Sequence, residues 1–158
     1  MNYSQLDNKT ILEQSRKKLV AFLKSRKMRQ TPERFALLEH VMALNTHFSA
    51  DDFHRQLESD GNFHVSKATV YNTLQVFLEA GIVRRHNFEG PAEYERIDPD
   101  GHNHHHIVCT HCGAVREVRD DEIANIISRY RYPDFEPAYF SLYVYGICAQ
   151  CRRRNNHR

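Results

Sequence analysis

No stretch of this 158-residue chain approaches the roughly 18 apolar residues that a membrane span needs, so no membrane partner is expected. The N-terminus has no apolar core of the secretory kind, and the cytoplasm is the expected location. Internal repeats are missing. So is any His-Glu-x-x-His pattern, which weighs against a zinc hydrolase. Net charge is small: 22 Lys and Arg against 20 Asp and Glu give +2, which alone predicts no nucleic-acid partner. Cysteine is scarce, yet all four fall in two pairs, Cys109-x-x-Cys112 and Cys148-x-x-Cys151. In a reducing compartment such pairs bind metal more often than they form disulfides.

Apolar residues make up 41% of the chain, enough for one medium domain or two small ones. Thr10 to Ser25 has the spacing of an amphipathic helix. Thr31-Pro32-Glu33 starts a second helix, with Thr31 as cap, and Ser49 caps a third. Ser66 caps a fourth, which runs to Ala80 and is stopped by Gly81. Val70, Leu74, Phe77 and Leu78 form its buried stripe, with Ala68, Asn72 and Gln75 opposite and Tyr71 at the edge. Ile82 to Phe88 and Glu93 to Ile97 read as a β-hairpin. Helices followed by a hairpin give the order of a winged helix-turn-helix, the fourth helix being the reader and the hairpin the wing.

The turn-rich Asp98-Pro99-Asp100-Gly101 marks a domain boundary. We expect a winged-helix domain over 1–97, a hinge at 98–103 and a second domain over 104–158. The fold class is α+β, with a small C-terminal α/β unit. In that unit His104 to Val108, Ala114 to Val118 and Ala138 to Tyr145 read as strands, and Asp120 to Arg129 as a helix. The tail from Arg152 reads as disordered. A unit this small needs a staple. Thiolates on Cys109, Cys112, Cys148 and Cys151 supply one as a closed, structural zinc site.

The cluster His102-Asn103-His104-His105-His106 is a second constellation, too polar and dense for a core. Along a strand His104 and His106 share a face and His105 points away. Candidates to complete a metal site are His47, Glu95 and Glu117; such a set suits iron(II), manganese or zinc. The bland alternative is a surface loop that binds metal loosely. His40, His54, His64, His86, His111 and His157 read as ordinary residues. Arg16, Lys17, Lys18, Lys24, Arg26, Lys27 and Arg29 lie in a stretch with no acidic residue between Gln14 and Pro32. That stretch is either a solvated helix face or a phosphate-binding one.

The sequence resembles the ferric uptake regulator family of metal-dependent repressors. The resemblance rests on Thr31-Pro32-Glu33-Arg34, His47-x-Ser49-Ala50-Asp51-Asp52, Ala68-Thr69-Val70-Tyr71, Ala80-Gly81-Ile82-Val83, Arg85-His86-Asn87-Phe88-Glu89-Gly90, His104-x-His106 and both cysteine pairs, in order along the chain. It implies a homodimer that binds a double-stranded operator, with dimerisation in the C-terminal domain and zinc on the four cysteines. It implies a regulatory site of His47, Glu95, His104, His106 and Glu117. Extra residues separate Tyr94-Glu95 from the histidines, so Asp98 or Asp100 is an alternative to Glu95. A further site found in some members corresponds here to Asn103, His105, Ala124 and Phe140, and we expect it to be missing. Asn72 is a peroxide-type feature, whereas Glu95, Glu117 and Arg85 to Gly90 are iron-type.

Phosphate contacts are assigned to Arg16, Lys17, Lys18 and Lys67, and base contacts to Thr69, Tyr71 and Asn72. The expected protein is an iron-responsive repressor and not an enzyme. A peroxide- or zinc-responsive relative is the near alternative. A zinc hydrolase or a zinc-ribbon adaptor is the alternative from another class.

Overall fold

A computed structural model describes residues 8–59, 61, 63–87, 90–97, 104–136 and 140–155. The expected hinge at 98–103, with Asp98 and Asp100, lies outside them. The chain divides into two compact units, Met1–Asp100 and Gly101–Arg158. No described helix is long and apolar enough to cross a membrane.

The first unit packs four helices, α1 (Asn8–Ser25), α2 (Pro32–Ala43), α3 (Ala50–Ser59) and α4 (Lys67–Glu79). Leu19, Leu37, Leu38, Leu57, Leu74 and Phe77 are almost completely buried among them. Each such side chain contributes about 1.5–3 kcal/mol by leaving water. Ser66 Oγ accepts from the Thr69 amide at 3.1 Å and Ser49 Oγ from the Asp52 amide at 3.1 Å, so both caps form as expected. Thr31 departs from expectation. It sits at the N-cap with extended backbone, but its side chain caps nothing. The Arg34 amide bonds to the Thr31 carbonyl at 3.1 Å instead. Gly81 adopts φ +64°, the left-handed turn that releases the chain from α4 into the wing.

Three antiparallel strands complete this unit: β1 (Phe48–Ser49), β2 (Val83–His86) and β3 (Glu93–Arg96), in the order β1-β3-β2. The hairpin is the expected wing. Strand β1 was not expected; two residues carry no readable period.

The second unit is a sheet of β4 (His104–Cys109), β5 (Val115–Arg119) and β6 (Tyr143–Gly146) with α5 (Asp121–Arg129) and α6 (Ala149–Asn155). Strand β4 is central, antiparallel to β5 and parallel to β6. Asp120 caps α5 by accepting from the Glu122 and Ile123 amides. Two expectations are corrected. Strand β6 starts at Tyr143, not near Ala138; Phe140 to Leu142 are not strand, and residues 137–139 lie outside the described ones. Arg152 to Asn155 are helical, not a disordered tail, because α6 grows out of the second cysteine pair, with the Arg152 amide on the Cys148 carbonyl at 3.0 Å. Residues 156–158 lie outside the described ones. Among the described apolar residues of this unit, only Val108, Cys109 and Cys151 are buried. That core is too small to stand alone.

Candidate metal centres and reading helix

The four cysteines converge. Cys109 ends β4, and the turn after it closes with the Gly113 amide on the Cys109 carbonyl at 2.9 Å, Gly113 taking φ +71°. Cys109 pairs in register with Gly146, just before Cys148, and Cys151 lies in α6. All four sulfurs lie within 4.8 Å of one another, and none is in a disulfide. Cys112 Sγ and Cys148 Sγ are 3.9 Å apart. Tetrahedral zinc with Zn–S near 2.3 Å sets sulfurs about 3.8 Å apart, so the donor set fits that ion.

Backbone amides are already aimed at the sulfurs: Cys148 N–H donates to Cys109 Sγ at 3.3 Å and Cys151 N–H to Cys148 Sγ at 3.5 Å. The Cys148 amide, with those of His111 and Cys112, pulls the Cys109 thiol down to about 6. Cys151 is pushed up to about 12 by hydrogen bonds with the thiols of Cys148, Cys112 and Cys109 and by burial. Four thiolates cannot coexist there at neutral pH without a cation to balance them, and zinc is such a cation.

His104, His105 and His106 are all buried, which corrects the view that the cluster is too polar for an interior. His104 and His106 share a face, with ring centroids 4.9 Å apart, and Tyr143 stacks on His106 at 5.5 Å. Glu117 on β5 stands opposite His106 in register. Ligand atoms of His104, His106 and Glu117 lie within 4.8 Å of one another. The second unit therefore offers two imidazoles and one carboxylate to a single point.

The first unit offers another group. His47, His86 and Glu95 also present ligand atoms within 4.8 Å of one another. His47 Nε2 is 3.4 Å from Glu95 Oε2, and His86 Nε2 is 2.8 Å from the same oxygen. His86 is fully buried, so reading it as an ordinary histidine missed its place beside a candidate ligand. Arg84 was missed as well. The available signal was strand period: residues 84 and 86 share a face of β2, and Arg84 lies opposite Glu95. The five expected regulatory residues are thus divided, His47 and Glu95 in the first unit and His104, His106 and Glu117 in the second. Of the further site, Asn103 lies outside the described residues.

On α4, Asn72 is exposed and Tyr71 is 43% exposed. The Thr69 hydroxyl is 2.9 Å from Ser66 Oγ, within the cap. Lys67 Nζ lies 2.8 Å from Asp51 Oδ1, and Tyr71 Oη donates to that oxygen at 2.9 Å. Among the basic residues of α1, Lys17 is exposed, Arg16 pairs with Glu39 at 2.8 Å, and Lys18 Nζ donates to the Gly81 carbonyl at 2.6 Å. Arg16 and Lys18 hold α1 to its neighbours as well as presenting charge.

Residues 25–145 match the ferric uptake regulator family. The peroxide-responsive repressor PerR of Staphylococcus aureus is 30% identical over 142 residues, 89% of this chain and 94% of that protein. Among solved structures, the ferric uptake regulator of Pseudomonas aeruginosa with manganese is 32% identical at TM-score 0.67. It covers 82% of this chain and 97% of that one. The Vibrio cholerae ferric uptake regulator is 35% identical at TM-score 0.55, covering 80% and 96%.

Proposed function

The chain belongs to the ferric uptake regulator family, and from that membership we propose an iron-type, metal-dependent repressor that binds operator DNA as a homodimer in the cytoplasm. One observation carries the reading: clustered metal-ligand side chains occur in both units, on either side of the 98–103 segment. His47 and Glu95 from the first unit, with His104, His106 and Glu117 from the second, would serve one divalent ion. When bound, such an ion would draw ligands from each unit. Imidazoles and carboxylates together suit iron(II), manganese or zinc, and the Pseudomonas relative was solved with manganese. Metal would favour DNA binding only by binding more tightly to the DNA-competent arrangement.

Cys109, Cys112, Cys148 and Cys151 would hold structural zinc and supply the staple that the small second core needs. Exposed apolar side chains of that unit support self-association: Ile126 (69%), Phe135 (67%), Tyr130 and Tyr145. The α4 helix would enter the major groove with Thr69, Tyr71 and Asn72 at the bases, and with Lys67, Arg16, Lys17 and Lys18 at phosphate. No catalytic role is assigned to the histidines. The experiment is anaerobic operator binding titrated with iron(II), manganese and zinc. Metal-stimulated, sequence-specific binding by a dimer supports the reading, and binding indifferent to all three metals defeats it.

A further inference from the structure

The wing buries a cation beside a proposed metal ligand. Arg84 Nε donates to Glu95 Oε2 at 2.8 Å and Arg84 Nη2 to Glu95 Oε1 at 3.0 Å. One guanidinium thus engages both carboxylate oxygens, the strong fork-on-fork geometry. The side chains of Arg84 and Glu95 are only 7% and 12% exposed. His86 Nε2 approaches Oε2 at 2.8 Å, and His47 Nε2 lies 3.4 Å from it.

A guanidinium keeps its charge at any pH a protein tolerates, so Arg84 cannot shed a proton to admit a second cation. Both oxygens of Glu95 already accept from Arg84, and Oε2 also faces His86, so a metal bound there would have to share the carboxylate. Two cations on one carboxylate repel each other, and more so away from bulk water. Arg84 adds a buried positive charge that a metal must meet at Glu95.

We propose that Arg84 is a positioning residue that sets the metal affinity of the regulatory set: it holds Glu95 in place in the metal-free protein and competes with the divalent cation for it. The inference rests on the reading of Glu95 as a regulatory ligand. Its consequence is a sensor tuned to weaker binding, which fills only at higher free metal.

The test is manganese(II) binding to the full chain with zinc on its cysteines, free manganese being read by electron paramagnetic resonance. Arg84→Gln removes the charge and keeps an amide donor; it should tighten binding by about tenfold or more, the scale on which groups behind metal ligands act. Glu95→Gln should weaken binding by about tenfold or more. Adding Arg84→Gln to Glu95→Gln should tighten binding by much less than Arg84→Gln does alone, because the competition for the carboxylate is then gone and only direct repulsion between the charges is left. If Glu95→Gln weakens binding but Arg84→Gln does not tighten it, the competition is overturned and Glu95 remains a ligand. If Glu95→Gln binds like the parent, the ligand reading and the competition both fail. Should Arg84→Gln not fold, the parent decides. On titration with zinc(II), the Arg84 Nε–H resonance should shift and exchange faster as the fork is shared. A resonance that stays put overturns the proposal.

Discussion

Tyr71 Oη donates to Asp51 Oδ1 at 2.9 Å, tying α4 to the start of α3. Lys67 reaches the same oxygen, so a carboxylate sits on the face assigned to DNA. Asp51→Ala should free Lys67, remove a charge that repels phosphate and take away the acceptor of the Tyr71 hydroxyl. Binding to random DNA should strengthen, and the salt slope should steepen by up to about one unit. Binding to operator should gain less, because Tyr71 loses its anchor. Anisotropy titrations on both DNAs across a salt series measure this; an unchanged ratio of the two affinities would refute it.

The same tie has a pH signature. Hydrogen bonds from Lys67 and then Tyr71 hold the Asp51 carboxyl below the usual carboxylate range, and Asp51 in turn raises Lys67. A lowered carboxyl contributes stability above its unfolded value, near 3.9, and loses it as pH falls through the lowered folded value. The tie is therefore intact at neutral pH and should survive to about pH 4. Carbon NMR of the Asp51 carboxyl should show a midpoint below that of an unstructured aspartate. An ordinary midpoint would mean that the contacts do not persist in solution.

Lys67→Ala should weaken binding to every sequence and lower the salt slope, by less than one unit while Asp51 holds the lysine and by roughly one unit once Asp51 is removed. Asn72→Ala should instead cost about 1–3 kcal/mol at particular base pairs. If both variants bind operator and random DNA like the parent, α4 does not enter the groove.

Much of this was legible because local chemistry decides it. Ser66 and Gly81 bound α4 through a cap and a left-handed turn, and each needs only its neighbours. The two cysteine pairs pointed to one site because their spacing is a ligand spacing. Other features depended on partners distant in the chain. Nothing around Arg84 shows that it faces Glu95 until the hairpin register is known. Arg152 to Asn155 look like a charged tail, and their helix follows from the anchoring of Cys148 and Cys151. His105 looked too polar to bury, yet it is buried on the central strand of its sheet.

Loss of a cysteine should be felt by the second unit. Cys109→Ser or Cys148→Ser should release zinc, unfold that unit and dissociate the dimer, since so little else is buried there. Zinc analysis with sedimentation velocity checks this. A zinc-free dimer of normal stability would remove the structural role from these residues.

The central claim is that one ion draws its ligands from both units and thereby governs DNA binding. The most direct measurement is operator affinity against free manganese for His47→Ala, His104→Ala and the double variant, with structural zinc retained. A shared ion predicts that each single change raises the metal requirement by about 100-fold or more, because groups one shell further out already cost about 10–100-fold. The metal-free affinity should stay unchanged, and the double variant should respond like the more impaired single one rather than add the two losses. Additive losses, or a response to only one of the two changes, would contradict a shared site.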